Sequence, residues 1–153
     1  MRKLILFFAT GFGSGYAPVA PGTAGSVAGL VLVWIVWGPL WMRLPWLCLL
    51  IFAVAFVLAC WISDRAEQIF EQHDDSRIVL DEVLGMAATM FGNPITLGWL
   101  LAGFLLFRIA DVIKPWPASL IDRRVRNGAG VMLDDLAAAI YANIVLHVIV
   151  RVI

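Results

Sequence analysis

The sequence predicts an all-α fold: a small polytopic membrane helix bundle, with three full crossings, a helical hairpin over residues 83–107 and a Gly-rich loop near the N-terminus. Three observations carry that prediction. Of the 153 residues, 62% are apolar and 14% charged, against roughly 45–50% and about 25% in soluble domains, and the mean hydropathy is +0.92. A soluble fold this small cannot bury so much apolar surface, because the buried share falls as chains shorten. The charges are also confined: of 22 charged residues, nine lie within 64–82, nine within 108–135, and the others are Arg2, Lys3, Arg43 and Arg151. Finally, the stretches 4–42, 44–63, 83–107 and 136–150 carry no charge, and a spanning helix needs about 20 largely apolar residues. With 11 basic and 11 acidic residues and no basic tail, nucleic-acid binding is excluded. The composition equally excludes a disordered chain and a disulfide-stapled module. A single domain over 1–153 is expected.

Each element follows in order. Arg2 and Lys3 before Leu4–Ala9 have the outline of a secretion signal, but the apolar stretch is at the short limit and Pro21 follows the only small-residue site, Ala20; no cleavage is expected. Glycines and small hydroxyls then run from Gly11 to Ser26, with Thr23 the expected N-cap of the first crossing. Ser26–Trp41 and Pro45–Ile62 read as two crossings joined by a tight turn at Arg43-Leu44-Pro45. Cys48 and Cys60 share the second of these, about 18 Å apart along a helix and so too far to bridge; both read as packing residues. Leu133–Ile153 reads as the last crossing, with Asp134 and Asp135 at its N-terminus.

Residues 83–107 read in two ways. Gly92-Asn93-Pro94 is a strong turn signal in their middle. Val83–Phe91 is too short to cross alone and Ile95–Phe107 is marginal. A single crossing would divide the Lys and Arg residues five against six, whereas a hairpin divides them nine against two (Arg43 and Arg151). The positive-inside rule therefore selects the hairpin. Every carboxylate then lies on the cytoplasmic side, with the N-terminus.

That face carries the chemistry. The segment Pro21-Gly22-Thr23-Ala24-Gly25-Ser26 leads into a helix, where free N–H groups and the positive helix end receive phosphate; a flexible loop whose small residues permit close helix packing is the plainer alternative. It is neither a Walker loop nor a dinucleotide fingerprint. Asp81 and Glu82 fall where the chain re-enters the membrane, a costly depth for carboxylates unless paired or metal-bound. Asp64, Glu67 and Glu71 read as a solvated acidic face. Arg108, Asp111 and Lys114 repeat at i, i+3 and share a helix face until Pro115 ends it, an ion pair of the first two being the plainer reading. Asp134 and Asp135 either complement a helix dipole or join the acidic set. Oxygen ligands with few His or Cys suit Mg²⁺, which pairs one or two carboxylates with substrate phosphate. His73 and His147 read as a surface and a buried hydrogen-bonded residue. A phospholipid phosphate is the substrate that reaches such a face naturally.

Four stretches, in order and at similar spacings, resemble the bacterial phosphatidylglycerophosphatase A family: Thr10–Gly15 with Pro21–Ser26, Ile78–Gly85, Phe107–Pro117 and Gly130–Asp135. The similarity runs from about Ala9 to Asn143. It implies a Mg²⁺-dependent inner-membrane enzyme, multi-pass with its site on the cytoplasmic face, that converts phosphatidylglycerophosphate to phosphatidylglycerol. On that basis Asp81, Glu82, Asp134 and Asp135 are expected to hold metal, Arg108 and Lys114 to grip phosphate, and Gly22, Thr23 and Ser26 to cradle it. Asp111 is expected to activate water or bind metal, with direct attack on phosphorus as the alternative. The expected partner is a membrane phospholipid and not nucleic acid; self-association stays open. A phosphatase of another lipid phosphate or pyrophosphate, a small cation or proton transporter and a non-catalytic membrane scaffold are the rival readings. A transporter would want acidic residues at mid-bilayer depth or inverted repeats, and neither is visible.

Overall fold

The computed structural model describes residues 1–125 and 127–153; Arg126 and the side chains of residues 122–124, part of the cationic segment counted above, lie outside this description. The described residues form helices and turns, with no strand among them. The helices are α1 (Arg2–Ala9), α2 (Pro21–Leu32), α3 (Gly38–Arg43), α4 (Pro45–Phe70), α5 (Leu80–Thr89), α6 (Leu97–Ile113), α7 (Ala118–Arg124) and α8 (Gly128–Val152). A π-helical turn at Val33–Trp37 joins α2 and α3 into one rod, Pro21–Arg43. Pro39 accounts for the widening: it has no N–H for the carbonyl four residues back, and its ring crowds that carbonyl. This rod, α4 and α8 are three helices long and apolar enough to cross a membrane.

The expected boundaries shift in three places. The first rod begins at Pro21, preceded by Ala20 at φ 51°, so Thr23 lies inside the first turn and does not cap it. Proline takes the first helical position because its fixed φ suits it there and its missing N–H has no partner to lose. The helix α4 runs past Ile62 to Phe70. The last helix starts at Gly128, where Asn127 Oδ1 accepts the Gly130 N–H at 3.1 Å. Asp134 and Asp135 therefore stand nearly two turns into α8. The dipole effect fades within the first turn, which removes the dipole-complement explanation for both.

The rod and α5 run side by side in the same direction. A Cβ on Gly25 would meet Val79 Cβ at 2.6 Å, and one on Gly29 would meet the Val83 carbonyl oxygen at 2.8 Å. These two glycines, one turn apart, let the backbones approach as small residues do between membrane helices. Val33, Met86, Met90, Leu100, Phe107 and Leu146 close the core between the rod, α5, α6 and α8. At the far end of α5, Asn143 Nδ2 donates to the carbonyls of Thr89 and Phe91 at 2.8 Å and of Ala88 at 3.3 Å. Those carbonyls end a helix with no continuation, and in an apolar setting a side chain must take the place of water. Cys48 and Cys60 are free, Cys48 buried, as expected of packing residues.

The loop between α4 and α5 is held by a buried carboxylate. Asp75, 3% exposed, accepts from Arg77 Nε at 2.8 Å, Nη2 at 2.6 Å and the Arg77 N–H at 2.9 Å. The guanidinium also lies 3.8 Å over the Phe70 ring. Hydrogen bonding from Arg77 holds the Asp75 carboxyl below its ordinary pKa. A depressed carboxyl stabilises the fold above its unfolded pKa and loses that contribution as pH falls through the native value. Asp75→Asn is expected to remove about 1–2 kcal/mol at neutral pH and roughly 2–6 °C in Tm. Thermal unfolding of both proteins should show the gap closing once the pH drops below the carboxylate range.

Candidate active site

The site forms where the N-terminal ends of α2 and α5 meet the C-terminal end of α6 and the second turn of α8. Backbone pairing sets the depth of α5, since the Val79 N–H donates to the Ala9 carbonyl at 2.9 Å. Asp81 and Glu82 then occupy its first turn. One carboxylate oxygen from each of Asp81, Glu82 and Asp135 lies within 4.8 Å of the others. Asp81 and Asp135 are 6% and 5% exposed. Asp81 Oδ1, Glu82 Oε2 and Asp135 Oδ2 are buried without a hydrogen-bond partner. Three crowded carboxylates, each with a buried oxygen that lacks a partner, are unfavourable as they stand. A hard divalent cation would satisfy all of them, and an all-oxygen donor set fits Mg²⁺.

Arg108 ties the elements together. Its Nη1 lies 2.9 Å from Asp111 Oδ2, 3.5 Å from Ser26 Oγ and 3.9 Å from Glu82 Oε1. Ser26 itself donates to the Gly22 carbonyl at 2.9 Å. Gly22 leaves room for Glu82, whose Oε1 would sit 2.3 Å from a Cβ at that position. Thr23 is half-buried in the same turn. Asp111 stands in electrostatic reach of both Glu82 and Asp135.

Lys114 takes a different course from the shared face predicted for it. It caps α6 in the left-handed region, at φ 46°, and its Nζ lies 2.5 Å from Asp134 Oδ2. Asp134 Oδ1 in turn accepts the Asp135 N–H at 3.0 Å. The structure thus gathers Gly22, Ser26, Asp81, Glu82, Arg108, Asp111 and Asp135 around one point, with Lys114 and Asp134 beside them as an ion pair. Successive residues on a helix point about 100° apart, which is why Asp134 and Asp135 find different partners. The histidines lie as expected: His73 Nδ1 is 2.7 Å from Glu67 Oε1 at the surface, and the half-buried His147 ring is 3.1 Å from the Asn143 carbonyl.

The family model of phosphatidylglycerophosphatase A matches residues 7–150. The chain is 39% identical over 146 residues to a phosphatidylglycerophosphatase A from Haemophilus influenzae, covering 95% of this chain and 88% of the relative. It is 36% identical over 146 residues to one from Escherichia coli, covering 92% and 80%. A protein from Bacteroides thetaiotaomicron that carries the provisional name phosphatidylinositol-3-phosphatase is 35% identical over 153 residues, covering 95% and 92%. No solved structure matches the chain. Carboxylates and cations that converge from four separate motifs, inside a match spanning nearly the whole chain, place this protein in the phosphatidylglycerophosphatase A family, as a phosphatase that hydrolyses a phosphate monoester.

Proposed function

We propose that this protein removes the terminal phosphate of phosphatidylglycerophosphate, giving phosphatidylglycerol, at the cytoplasmic face of a bacterial inner membrane. The substrate follows the names of its Haemophilus and Escherichia relatives. The observation that carries the reading is the trio of unpartnered buried oxygens on Asp81, Glu82 and Asp135, set beside the Arg108 guanidinium.

In this reading Asp81, Glu82 and Asp135 hold Mg²⁺. The metal, when bound, offsets phosphate charge and acidifies bound water. Arg108 turns its fork to the phosphate oxygens, and its pair with Asp111 keeps the plane in place. Asp111 is also the base that accepts the proton of the attacking water, a role its half-buried position beside Glu82 and Asp135 suits. Lys114, held by Asp134, supplies a second cation at the rim. The first turn of α2, with Gly22, Thr23 and Ser26, completes the cradle with backbone N–H donors. Among the described residues five carboxylates face two cations here, an excess of negative charge that a divalent ion would reduce.

Topology supports the cytoplasmic placement. Arg108, near the end of α6, reaches Glu82, near the start of α5, so both ends of this helical pair lie on one side. The turn between them packs Phe91 on Trp41, with ring centroids 4.0 Å apart, close to Arg43 at the far end of the rod. This is the in-and-back path that the charge count selects, and it supports a hairpin over a single crossing.

A second headgroup has specific support from the Bacteroides relative. Phosphate release by purified protein in mixed micelles tests both readings. The substrates are phosphatidylglycerophosphate, phosphatidylinositol 3-phosphate, phosphatidic acid and an undecaprenyl pyrophosphate analogue, each with Mg²⁺ or EDTA. Release from the first, abolished by EDTA, is expected. Preference for the inositol lipid would change the substrate and keep the site. Release undiminished by EDTA would remove the metal.

A further inference from the structure

We propose that the groove between α1, α4 and α5 seats an acyl chain of the lipid substrate; this rests on the lipid phosphatase reading above. The groove has a volume of about 300 Å³ and is walled by Phe8, Ala55, Leu58, Ile62, Leu80 and Leu84. Its lining is almost wholly apolar. Leu80 precedes the acidic pair Asp81–Glu82, and Leu84 stands one helical turn beyond Asp81 on the same side. Leu84 also walls a narrow recess whose other sides are Asp81, Gly85, Phe52 and Phe56. Groove and carboxylate therefore share a wall.

The position suits one occupant. The outer wall belongs to α4, a helix long and apolar enough to span a membrane and little covered by the rest of the fold. The groove is thus open to hydrocarbon along α4 and bounded, through Leu80 and Leu84, by the helix that carries the acidic pair. A lipid whose phosphate monoester lies at Asp81 and Glu82 must leave its chains in an apolar medium. This groove offers that medium without drawing the headgroup away. A second apolar hollow, of about 410 Å³ between the Gly11–Ser14 turn and the rod, has no lining residue next to the acidic pair in sequence and none in the recess at Asp81.

Chain-length selectivity is the test. Ala55 is half-buried in the groove wall, whereas Ala53 is exposed on the same helix. Ala55→Trp fills the groove, and Ala53→Trp adds the same bulk outside it. Leu58→Trp narrows the exposed rim, where Leu58 is 53% exposed, without disturbing buried packing. Phosphate release is measured from dioleoyl and dihexanoyl phosphatidylglycerophosphate in mixed micelles. For Ala55→Trp, kcat/KM on the dioleoyl ester is expected to fall about 10-fold or more while the dihexanoyl value stays within about 2-fold, since one or two methylene contacts carry discrimination of that scale. Leu58→Trp should move the same way and Ala53→Trp should move neither. Equal behaviour of Ala55→Trp and Ala53→Trp would mean that ordinary bilayer lipid fills the groove, and overturns the assignment. Equal loss on both esters overturns it too. Wild-type protein inactive on both esters would strike the substrate reading itself, and the groove with it; an active wild type with unselective variants strikes the groove alone.

Discussion

Asp135→Asn is expected to lower phosphate release about 10³-fold or more, the scale of the several kcal/mol a bound metal contributes to a charged transition state. It should also abolish the rise in Tm that Mg²⁺ gives the wild type. A ligand that binds only the native state stabilises it by about 2.7 kcal/mol at a hundredfold excess over Kd, and that increment needs all three oxygens of Asp81, Glu82 and Asp135. Glu82→Gln should behave alike. In EDTA the order reverses: removing one of three crowded carboxylates relieves repulsion, so the variants should unfold at or above the wild-type temperature. Asp134→Asn separates the roles of the two adjacent acids. Its carboxylate is engaged by Lys114 at 2.5 Å, so activity should fall while the Mg²⁺ shift in Tm survives. Thermal unfolding with Mg²⁺ and with EDTA, run beside the activity assay, reads both effects. A wild-type Mg²⁺ response in Asp135→Asn would take Asp135 out of the metal site.

Much of this arrangement was legible before the structure, because it rests on where charge is absent. Stretches free of Asp, Glu, Lys and Arg mark the three long helices, and the Gly92-Asn93-Pro94 turn marks the division of 83–107 into α5 and α6. Helix starts were harder to place. Pro21 and Asn127 both carry a start signal, a proline at the first position and an Asn before an apolar run, yet Thr23 and Leu133 drew the boundary inward because hydrophobic periodicity weakens across glycines. Pairing within the site was only partly readable. The Arg108–Asp111 contact follows from i, i+3 spacing. The course of Lys114 does not, since it depends on a left-handed cap that only the following Pro115 hints at. The bond from Asn143 to the end of α5 joins residues more than fifty positions apart, and no local pattern encodes it. Gly22 is expected from the sequence to cradle phosphate, and the structure adds a second task, making room for Glu82, that no local pattern encodes.

Arg108→Lys keeps the positive charge and should still lower kcat/KM about 10²-fold, the loss seen when one preorganised donor to a developing oxyanion is removed. The reason is geometric. A guanidinium presents several donors in one plane: Arg108 meets Asp111 at 2.9 Å, and stays 3.5 Å from Ser26 and 3.9 Å from Glu82, through Nη1, so the same plane can turn its other N–H groups to phosphate. An ammonium is a point charge on a shorter stem, able to keep Asp111 or reach the phosphate but poorly placed for both. The fold and the Mg²⁺ shift in Tm should be retained, because the three acidic oxygens are untouched. Arg108→Ala should do worse in stability as well, leaving Asp111 half-buried without its partner. Combining Arg108→Lys with Asp111→Asn then asks what Asp111 does. If Asp111 acts solely by holding the guanidinium, its loss adds nothing to a variant whose guanidinium is gone, and the two effects are strongly non-additive. If it takes the proton from water, the double variant falls by a further about 10²-fold or more, the usual contribution of a general base. The second outcome is expected, because Asp111 also stands within electrostatic reach of Glu82 and Asp135, the carboxylates proposed to hold the metal.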